Sequence, residues 1–499
     1  MRGWHLAAGG AVLTAALLAA VQPPFQAAFL APAALTPLLY ALAHEARWPR
    51  RFLTGWLAGF LYWLIVCHWI KDVLAAYGGL TGPLAVFTLL AFAAAKGLHL
   101  AVFSALAGPV LKRPWAIPVV AALWVGIERT HGPLGFAWLT LGNSGVEMGL
   151  PVRLAPWIGV YGLSFIFAAL GTSLTLVLLR RPRRQLAWLL PLAGLWFLPP
   201  LQLKVAPGQQ AVVAQPNVAG NAVWSLEEKD RMLRQLMYST LAEAVEVEKR
   251  RPDLLLWPEA PAPLYYYQDE TLRRGAAELT RLAGAPFIFG GVAYTPRREP
   301  LNSAFLVDRR GQLAGRYDKR FLVPFGEFIP PGFGWIEKIS SEAGNYAAGT
   351  RAGVFALGDH RVGLFICYES AFPHLVREAA AGGAEVLVNL TNDGYFGRSR
   401  APREQHLQLA RMRAIENGRW LLRPANDGTT AAVDPAGRLW DRLPEFARQT
   451  GRLRFAWLRE QTAYTRWGDW FAWGCLLVGL AGVGAAWMPV YQPARPRGE

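Results

Sequence analysis

Val362-Gly363-Leu364-Phe365-Ile366-Cys367-Tyr368-Glu369 is the stretch from which the fold can be read. Five residues without a polar side chain predict a short, fully buried strand. The run stops at Cys367, and a helical stretch follows at 371–381. A buried strand running into a helix is half of an α/β unit. Compact runs of the same kind occur at 211–215, 254–257, 287–290, 304–307 and 386–390, with helical stretches near 271–282 and 403–417. Ser225-Leu226-Glu227-Glu228 has the form of a capping box. It would open a helix with Leu233, Met237, Leu241 and Ala244 along one stripe. An α/β domain over residues 205–468 is the expectation.

The flanks of that domain are apolar. The 499-residue chain is 53% hydrophobic and 17% charged, a balance that points to membrane spans. Eight apolar segments stand out, at 4–21, 25–43, 52–70, 84–111, 115–127, 157–179, 185–203 and 470–488. The fifth is short and runs into Glu128-Arg129. The first follows Met1-Arg2 in the manner of a signal peptide, but the further spans favour an uncleaved anchor. Arg47, Arg50 and Arg51 follow the second segment, Lys112 and Arg113 the fourth, and Arg180, Arg181, Arg183 and Arg184 the sixth. The loops after the first and third carry almost no net positive charge. The positive-inside rule then sets both termini in the cytoplasm. Seven spans (1–204) would precede a periplasmic domain (205–468), and the eighth span and a tail (469–499) would return Arg495 and Arg497 to the cytoplasm of a bacterial cell.

Composition also excludes other classes. The net charge is +16, yet the excess arginine sits in short clusters between apolar runs, which argues against a nucleic-acid surface. Three cysteines cannot form a disulfide framework. Cys67 and Cys475 lie in apolar spans and read as small buried hydrophobes. No CxxC, HExxH or clustered Cys/His spacing suggests a metal.

Three groups remain that can do chemistry together. Glu259 follows Trp257-Pro258 at a strand end, where α/β sheets project ligand-handling groups. Lys319 sits among Phe321, Pro324 and Phe325, with Glu327 as a possible partner. Cys367 precedes a helix whose dipole, with a nearby cation, would favour the thiolate; Glu369 could cap that helix or join the site. A carboxylate, an ammonium and a thiol suffice to make and break a thioester. Each alone also has an ordinary reading: a solvated loop carboxylate, a surface lysine, a buried cysteine.

The order and context of the three narrow the choice. Trp257-Pro-Glu259, Tyr317-Asp-Lys-Arg-Phe-Leu-Val-Pro-Phe-Gly-Glu327, Ile366-Cys-Tyr-Glu369 and Asn389-Leu-Thr-Asn-Asp-Gly-Tyr-Phe-Gly397 resemble the nitrilase, or carbon–nitrogen hydrolase, superfamily. Eight spans around such a domain resemble its membrane branch, the apolipoprotein N-acyltransferases. The resemblance covers essentially the whole chain, and the His406-Leu-Gln-Leu-Ala-Arg-Met-Arg-Ala414 run is among its most specific parts. It implies an inserted α-β-β-α sandwich and a triad on Glu259, Lys319 and Cys367. It implies supporting roles for Glu327, Tyr368 and Glu369, and substrate contacts at Trp224, Asn302 and Tyr395. It implies no cofactor. Its substrates are a phospholipid acyl donor, with phosphatidylethanolamine favoured, and a diacylglyceryl-modified apolipoprotein acceptor. One departure is visible: Gly394-Tyr395 stands where Ala-Trp is expected.

The chemistry of these groups gives each a role. Glu259 takes the thiol proton, Cys367 attacks an ester carbonyl, and Lys319 faces the oxyanion. Two apolar features suit a lipid: Phe325, Phe328, Ile329, Phe333, Trp335 and Ile336 after Lys319, and Tyr265-Tyr266-Tyr267 after Glu259. Either could dip into the outer leaflet or pack inside the domain. His68, Lys96 and His99, in or near spans, invite a functional reading or simple helix–helix bonding. The competing readings are an amidase that hydrolyses its thioester with water, a Cys–His mechanism through His360 or His374, and a multi-span receptor or transporter.

Overall fold

The computed structural model describes residues 2–76, 78–133, 136–219, 225–246, 248–259, 264–329 and 345–488. Twelve strands among them form two six-stranded sheets. The first has the order β12-β1-β2-β3-β4-β5, from Gln449–Phe455, Gln209–Gln215, Leu254–Leu256, Phe287–Tyr294, Pro300–Val307 and Leu313–Asp318. The second has the order β11-β10-β9-β8-β7-β6, from Leu439–Trp440, Ala431–Val433, Leu421–Arg423, Val386–Leu390, His360–Ile366 and Val354–Leu357. The central pairs β1–β2–β3 and β7–β8–β9 are parallel and the outer ones antiparallel.

Alternation along the strands builds the layers. Val213, Leu254, Ile288 and Leu306 of the first sheet meet Leu364, Ile366, Val388 and Leu422 of the second in one core. Neighbouring residues of the first sheet, Val212, Leu255, Phe287 and Phe305, point the other way onto helices Leu226–Val245 and Glu270–Ala283. A period of two sorts one strand onto two cores. Outside the second sheet, Phe365, Leu387 and Leu421 pack on helices Pro373–Ala381 and Arg400–Asn417. The result is the expected α-β-β-α sandwich. The capping box is present: Ser225 Oγ accepts from Glu228 N, and Glu228 Oε2 accepts from Ser225 N.

The outer helix layer does not face solvent. It shares a continuous apolar core with the N-terminal helices, from Leu38, Trp63 and Phe103 through Trp138 and Tyr368 to Leu409. Among the described residues, Gly82–Val110, Val160–Leu178 and Trp470–Trp487 are long and apolar enough to cross a membrane. Trp48–Val66 and Ile70–Ala76 together make a fourth, bent by 52°. The third apolar segment is therefore not one straight helix; it breaks at Cys67, His68 and Trp69. The remaining segments take other forms. Helix Arg2–Ala20 is followed by a 3-10 turn, Ala28–Ala33, and a short helix, Thr36–His44; Ala116–Arg129 has 14 residues. The seventh is a 3-10 helix, Arg183–Phe197, interrupted by Pro191. At roughly 2 Å rise per residue its 15 residues cover about 30 Å. Trp48–Val66 crosses Gly82–Val110 at a glycine pair: a Cβ on Gly59 would lie 2.8 Å from Gly97 Cα. Without a hydrophobic drive inside lipid, such close backbone approach is what binds helices.

Candidate active site

Glu259, Lys319 and Cys367 each lie just beyond a strand end: β2, β5 and β7. The buried Trp257 packs edge-on against Phe287 and fixes the exit from β2. Lys319 N donates to Asn302 O at 2.8 Å, which extends the β4–β5 pairing to the lysine. Cys367 has φ +49°, the left-handed region that a residue with a Cβ avoids, so this position is held in strain.

The side chains converge. Lys319 Nζ donates to Glu259 Oε1 at 3.1 Å and to Glu327 Oε1 at 2.9 Å. Asn302 Nδ2, on β4, reaches the same two oxygens at 2.8 and 2.6 Å. The other oxygens are also held: Asn392 N donates to Glu259 Oε2 at 2.9 Å, and Val323 N to Glu327 Oε2 at 2.8 Å. Lys319 is 1% exposed and Glu259 7%. Burial pulls the Lys319 pKa down, but the two carboxylates outweigh it and hold the pKa well above the ordinary lysine value. Burial also drives the Cys367 pKa well above the ordinary thiol value, and the Glu259 charge adds to the rise more than Lys319 offsets it. The resting thiol is therefore neutral. The expected help from a helix dipole does not prevail, because Cys367 opens only a five-residue 3-10 turn, Cys367–Ala371.

Glu369 is a brace rather than a cap alone. Fully buried, it accepts from Ile366 N (2.7 Å), Arg320 N (2.7 Å), Phe321 N (3.2 Å) and Tyr317 Oη (2.8 Å). It thus ties the end of β7 to the residues that follow Lys319. Burial raises its pKa. Tyr368 points to the helical bundle, stacked on Phe136 at 5.5 Å and on Trp138 at 6.2 Å between ring centroids. Tyr395 is half-buried, and its hydroxyl fills the place beside Gly326, where a Cβ would come within 2.4 Å of it. Trp224 lies outside the described residues, as do Phe333, Trp335 and Ile336.

Several expected lipid contacts face inward instead. Phe325 and Ile329 pack on Leu74, Leu80 and Ala85 of the bundle. Tyr266 belongs to the core with Phe289 and Phe305, while Tyr267 remains 45% exposed. Lys96 bonds to His131 Nδ1 (2.7 Å) and Phe136 O (2.9 Å); His99 stacks on His131, and His68 turns back to Ile65 O. His360 pairs with Glu385 and stacks on Trp457, and His374 lies edge-on to Phe321 and Phe372. The histidine beside Cys367 is His406, with Nε2 2.9 Å from Cys367 O. Gln405 beside it, fully buried, accepts from Trp138 Nε1 (2.8 Å) and Trp69 Nε1 (3.3 Å). It donates to Pro23 O (3.0 Å) and Val66 O (3.1 Å). Sequence reasoning passed over Gln405 and gave His406 no task. The available signal was two adjacent polar residues inside an otherwise motif-like helix. No group of three or more His, Cys, Asp or Glu suited to a metal occurs among the described residues.

Taken together, a carboxylate, a buried ammonium and a neutral thiol lie in one place, groups that suffice to form a thioester and pass its acyl group on. Comparison with known proteins points the same way. Residues 14–173 match the family model "Apolipoprotein N-acyltransferase N-terminal domain", and residues 211–454 match "Carbon-nitrogen hydrolase". An apolipoprotein N-acyltransferase of Geobacter metallireducens is 31% identical over 492 residues, covering 93% of this chain and 92% of the relative. One of Azotobacter vinelandii is 33% identical over 486 residues, covering 92% and 91%. Among solved structures, a Helicobacter pylori carbon-nitrogen hydrolase aligns over 49% of this chain and 89% of its own, at 17% identity and TM-score 0.39. An amidase from a Nesterenkonia species aligns over 53% and 95%, at 20% identity and TM-score 0.37.

Proposed function

The chain belongs to the apolipoprotein N-acyltransferase family, and from that premise we propose how its own residues carry the reaction. The enzyme moves a fatty acyl group from a phospholipid, through a cysteine thioester, to the N-terminal α-amine of a diacylglyceryl-cysteine. Glu259 takes the Sγ proton of Cys367 as sulfur attacks the ester carbonyl. The oxyanion develops against Lys319, which is already charged. The ester C–O bond breaks, and Glu259 returns its proton to the departing lysophospholipid. In the second half the neutral amine attacks the thioester carbon. Glu259 takes a proton from the nitrogen and passes it to the leaving sulfur, so thiol and base are both regenerated. Asn302 and Glu327 hold the Glu259–Lys319 pair, and Tyr395 walls the acyl side.

The observation that carries this reading is the Lys319 ammonium, buried and bridged to Glu259, beside a thiol too weakly acidic to ionise alone. A base must then act with the attack, not before it. Phosphatidylethanolamine is the proposed donor. We also propose eight spans, with residues 1–204 as bundle, 205–468 periplasmic, 469–499 as last span and tail, and both termini cytoplasmic in the bacterial inner membrane. The arginine alternation supports this, as does the length of the 3-10 segment Arg183–Phe197.

The test is mass spectrometry of purified protein incubated with phosphatidylethanolamine. One equivalent of lysophospholipid should appear, with an acyl group on Cys367 that neutral hydroxylamine removes. A diacylated lipopeptide with a free N-terminus should then discharge the enzyme, and its N-acetylated form should not. Continuous release of free fatty acid without acceptor would make water the second substrate and replace the transferase reading by a hydrolase.

A further inference from the structure

We propose that His406, set by Asp393 and Arg423, is a positioning residue that locks the Cys367 elbow and couples it to the general base. The inference rests on the reading of Cys367 as nucleophile. All three side chains are buried, His406, Asp393 and Arg423 each at 0% exposure. Arg423 Nη2 donates to both oxygens of Asp393, at 2.9 and 3.0 Å. His406 Nδ1 lies 3.0 Å from Asp393 Oδ1 and 3.1 Å from Arg423 Nη2. Its Nε2 lies 2.9 Å from the Cys367 carbonyl oxygen. A carbonyl only accepts, so Nε2 carries the hydrogen and donates it. Trp138 and Phe396 enclose the imidazole at 6.1 and 5.9 Å between centroids, which leaves the ring no second orientation.

Two consequences follow from that single bond. Cys367 is in the left-handed region at φ +49°, and a strained residue keeps its conformation only where its surroundings over-determine it. Glu369 holds the end of β7 one peptide earlier, through Ile366 N, and His406 holds the carbonyl of Cys367 itself. The peptide that carries the Cys367 carbonyl also carries the Tyr368 N–H, and peptide planarity fixes one when the other is fixed. A backbone donor beside the thiol thereby gains a set direction where an oxyanion forms. The second consequence runs through Asp393. The residue before it, Asn392, donates its N–H to Glu259 Oε2. One short turn, Asp393–Phe396 with its N-cap Asn392, therefore holds the base with one residue and the nucleophile's anchor with the next.

The experiment measures single-turnover acylation of Cys367 from phosphatidylethanolamine, alongside steady-state kcat and KM with lipopeptide, in His406→Phe, His406→Asn and His406→Gln. Phenylalanine keeps the ring packing and loses the donor. Displacement of reacting groups by about 1 Å costs on the order of 100-fold in rate, so acylation and kcat should fall about that far with KM unchanged. Glutamine places an amide N–H near the position of Nε2 and should recover activity to within about tenfold of the wild type. Asparagine is too short to reach and should resemble phenylalanine. Should His406→Phe fail to fold, the Gln and Asn variants decide the matter between them. Equal activity in Gln and Asn, or a loss confined to KM, would overturn the proposal. Turnover by Cys367→Ala separates the two readings: if it persists, the nucleophile assignment has failed and not the role of His406.

Discussion

At the residue scale the proposed active centre sets a neutral thiol beside the Glu259 carboxylate, and the sign of that coupling can be measured. Burial and then the Glu259 charge raise the Cys367 pKa. Glu259→Gln removes the second cause, so more thiolate should exist at any fixed pH. Iodoacetamide should modify Cys367 faster in this variant at pH 8, while acyl transfer from phospholipid is lost. Slower alkylation would mean that Glu259 already holds the sulfur's proton at rest. Glu259 and Cys367 were legible in the sequence because each ends a strand-like run and has a reactive group, and Lys319 because it stands among aromatics and prolines. Asn302 was legible only through family resemblance, since a lone amide in a strand has no reason of its own to stand out. Its value comes from two carboxylates that lie 43 and 25 positions away in the chain. The charged thiol expected from a helix dipole was an error of proportion: one turn of 3-10 helix does not outweigh desolvation of the sulfur together with the Glu259 charge.

Among the elements, helix Arg400–Asn417 does the most to join the parts. Its sequence, with Arg403, Gln405, Gln408, Arg413 and Glu416, reads as a solvated helix, yet these residues are all buried. Periodicity finds apolar faces; it cannot find a polar face whose partners come from elsewhere in the chain. Gln405→Leu should leave two indole N–H groups and two carbonyls unpaired between bundle and domain. At roughly 1–3 kcal/mol for each buried orphan, a thermal unfolding scan in detergent should show a clear drop in midpoint. An unchanged midpoint would show that water replaces the amide. Asp393, whose pKa burial raises but Arg423 and His406 bring down to about 2, makes the neighbouring turn sensitive to acid. A carboxyl depressed in the folded state stabilises the protein above its unfolded pKa, near 4, and loses that contribution as pH falls toward 2. The contribution is ~2 kcal/mol, so unfolding midpoints should decline over that interval and the decline should flatten in Asp393→Asn. Of the strands, β1 to β4, β7 and β8 were legible at least in their apolar parts, because a run buried on both faces needs no partner to be recognised; β5, β6 and β9 to β12 were not, being short or, like Gln449–Phe455, mixed with polar residues.

For the molecule as a whole, the proposed topology makes a direct claim about sides. A reporter active only in the periplasm should give signal when fused near Gly349 and none when fused after Arg184; the reverse would overturn the eight-span arrangement. The sequence conveyed where the apolar segments lie but not their form, since neither the 52° break nor the 3-10 segment leaves a mark in hydropathy. The last helix has a further meaning. Arg129 Nε meets Asp469 Oδ2 at 2.7 Å with both side chains at least nine-tenths buried, and Tyr464 Oη donates to the same carboxylate at 2.7 Å. Those partners are 340 residues apart, so a ribosome must deliver nearly the whole protein before the guanidinium left behind near the fifth segment is neutralised. Until then the nascent bundle carries an uncompensated charge, of the kind that membrane quality control is built to notice. Chains truncated before Asp469 should be cleared rather than accumulate as half-built enzymes holding a reactive cysteine.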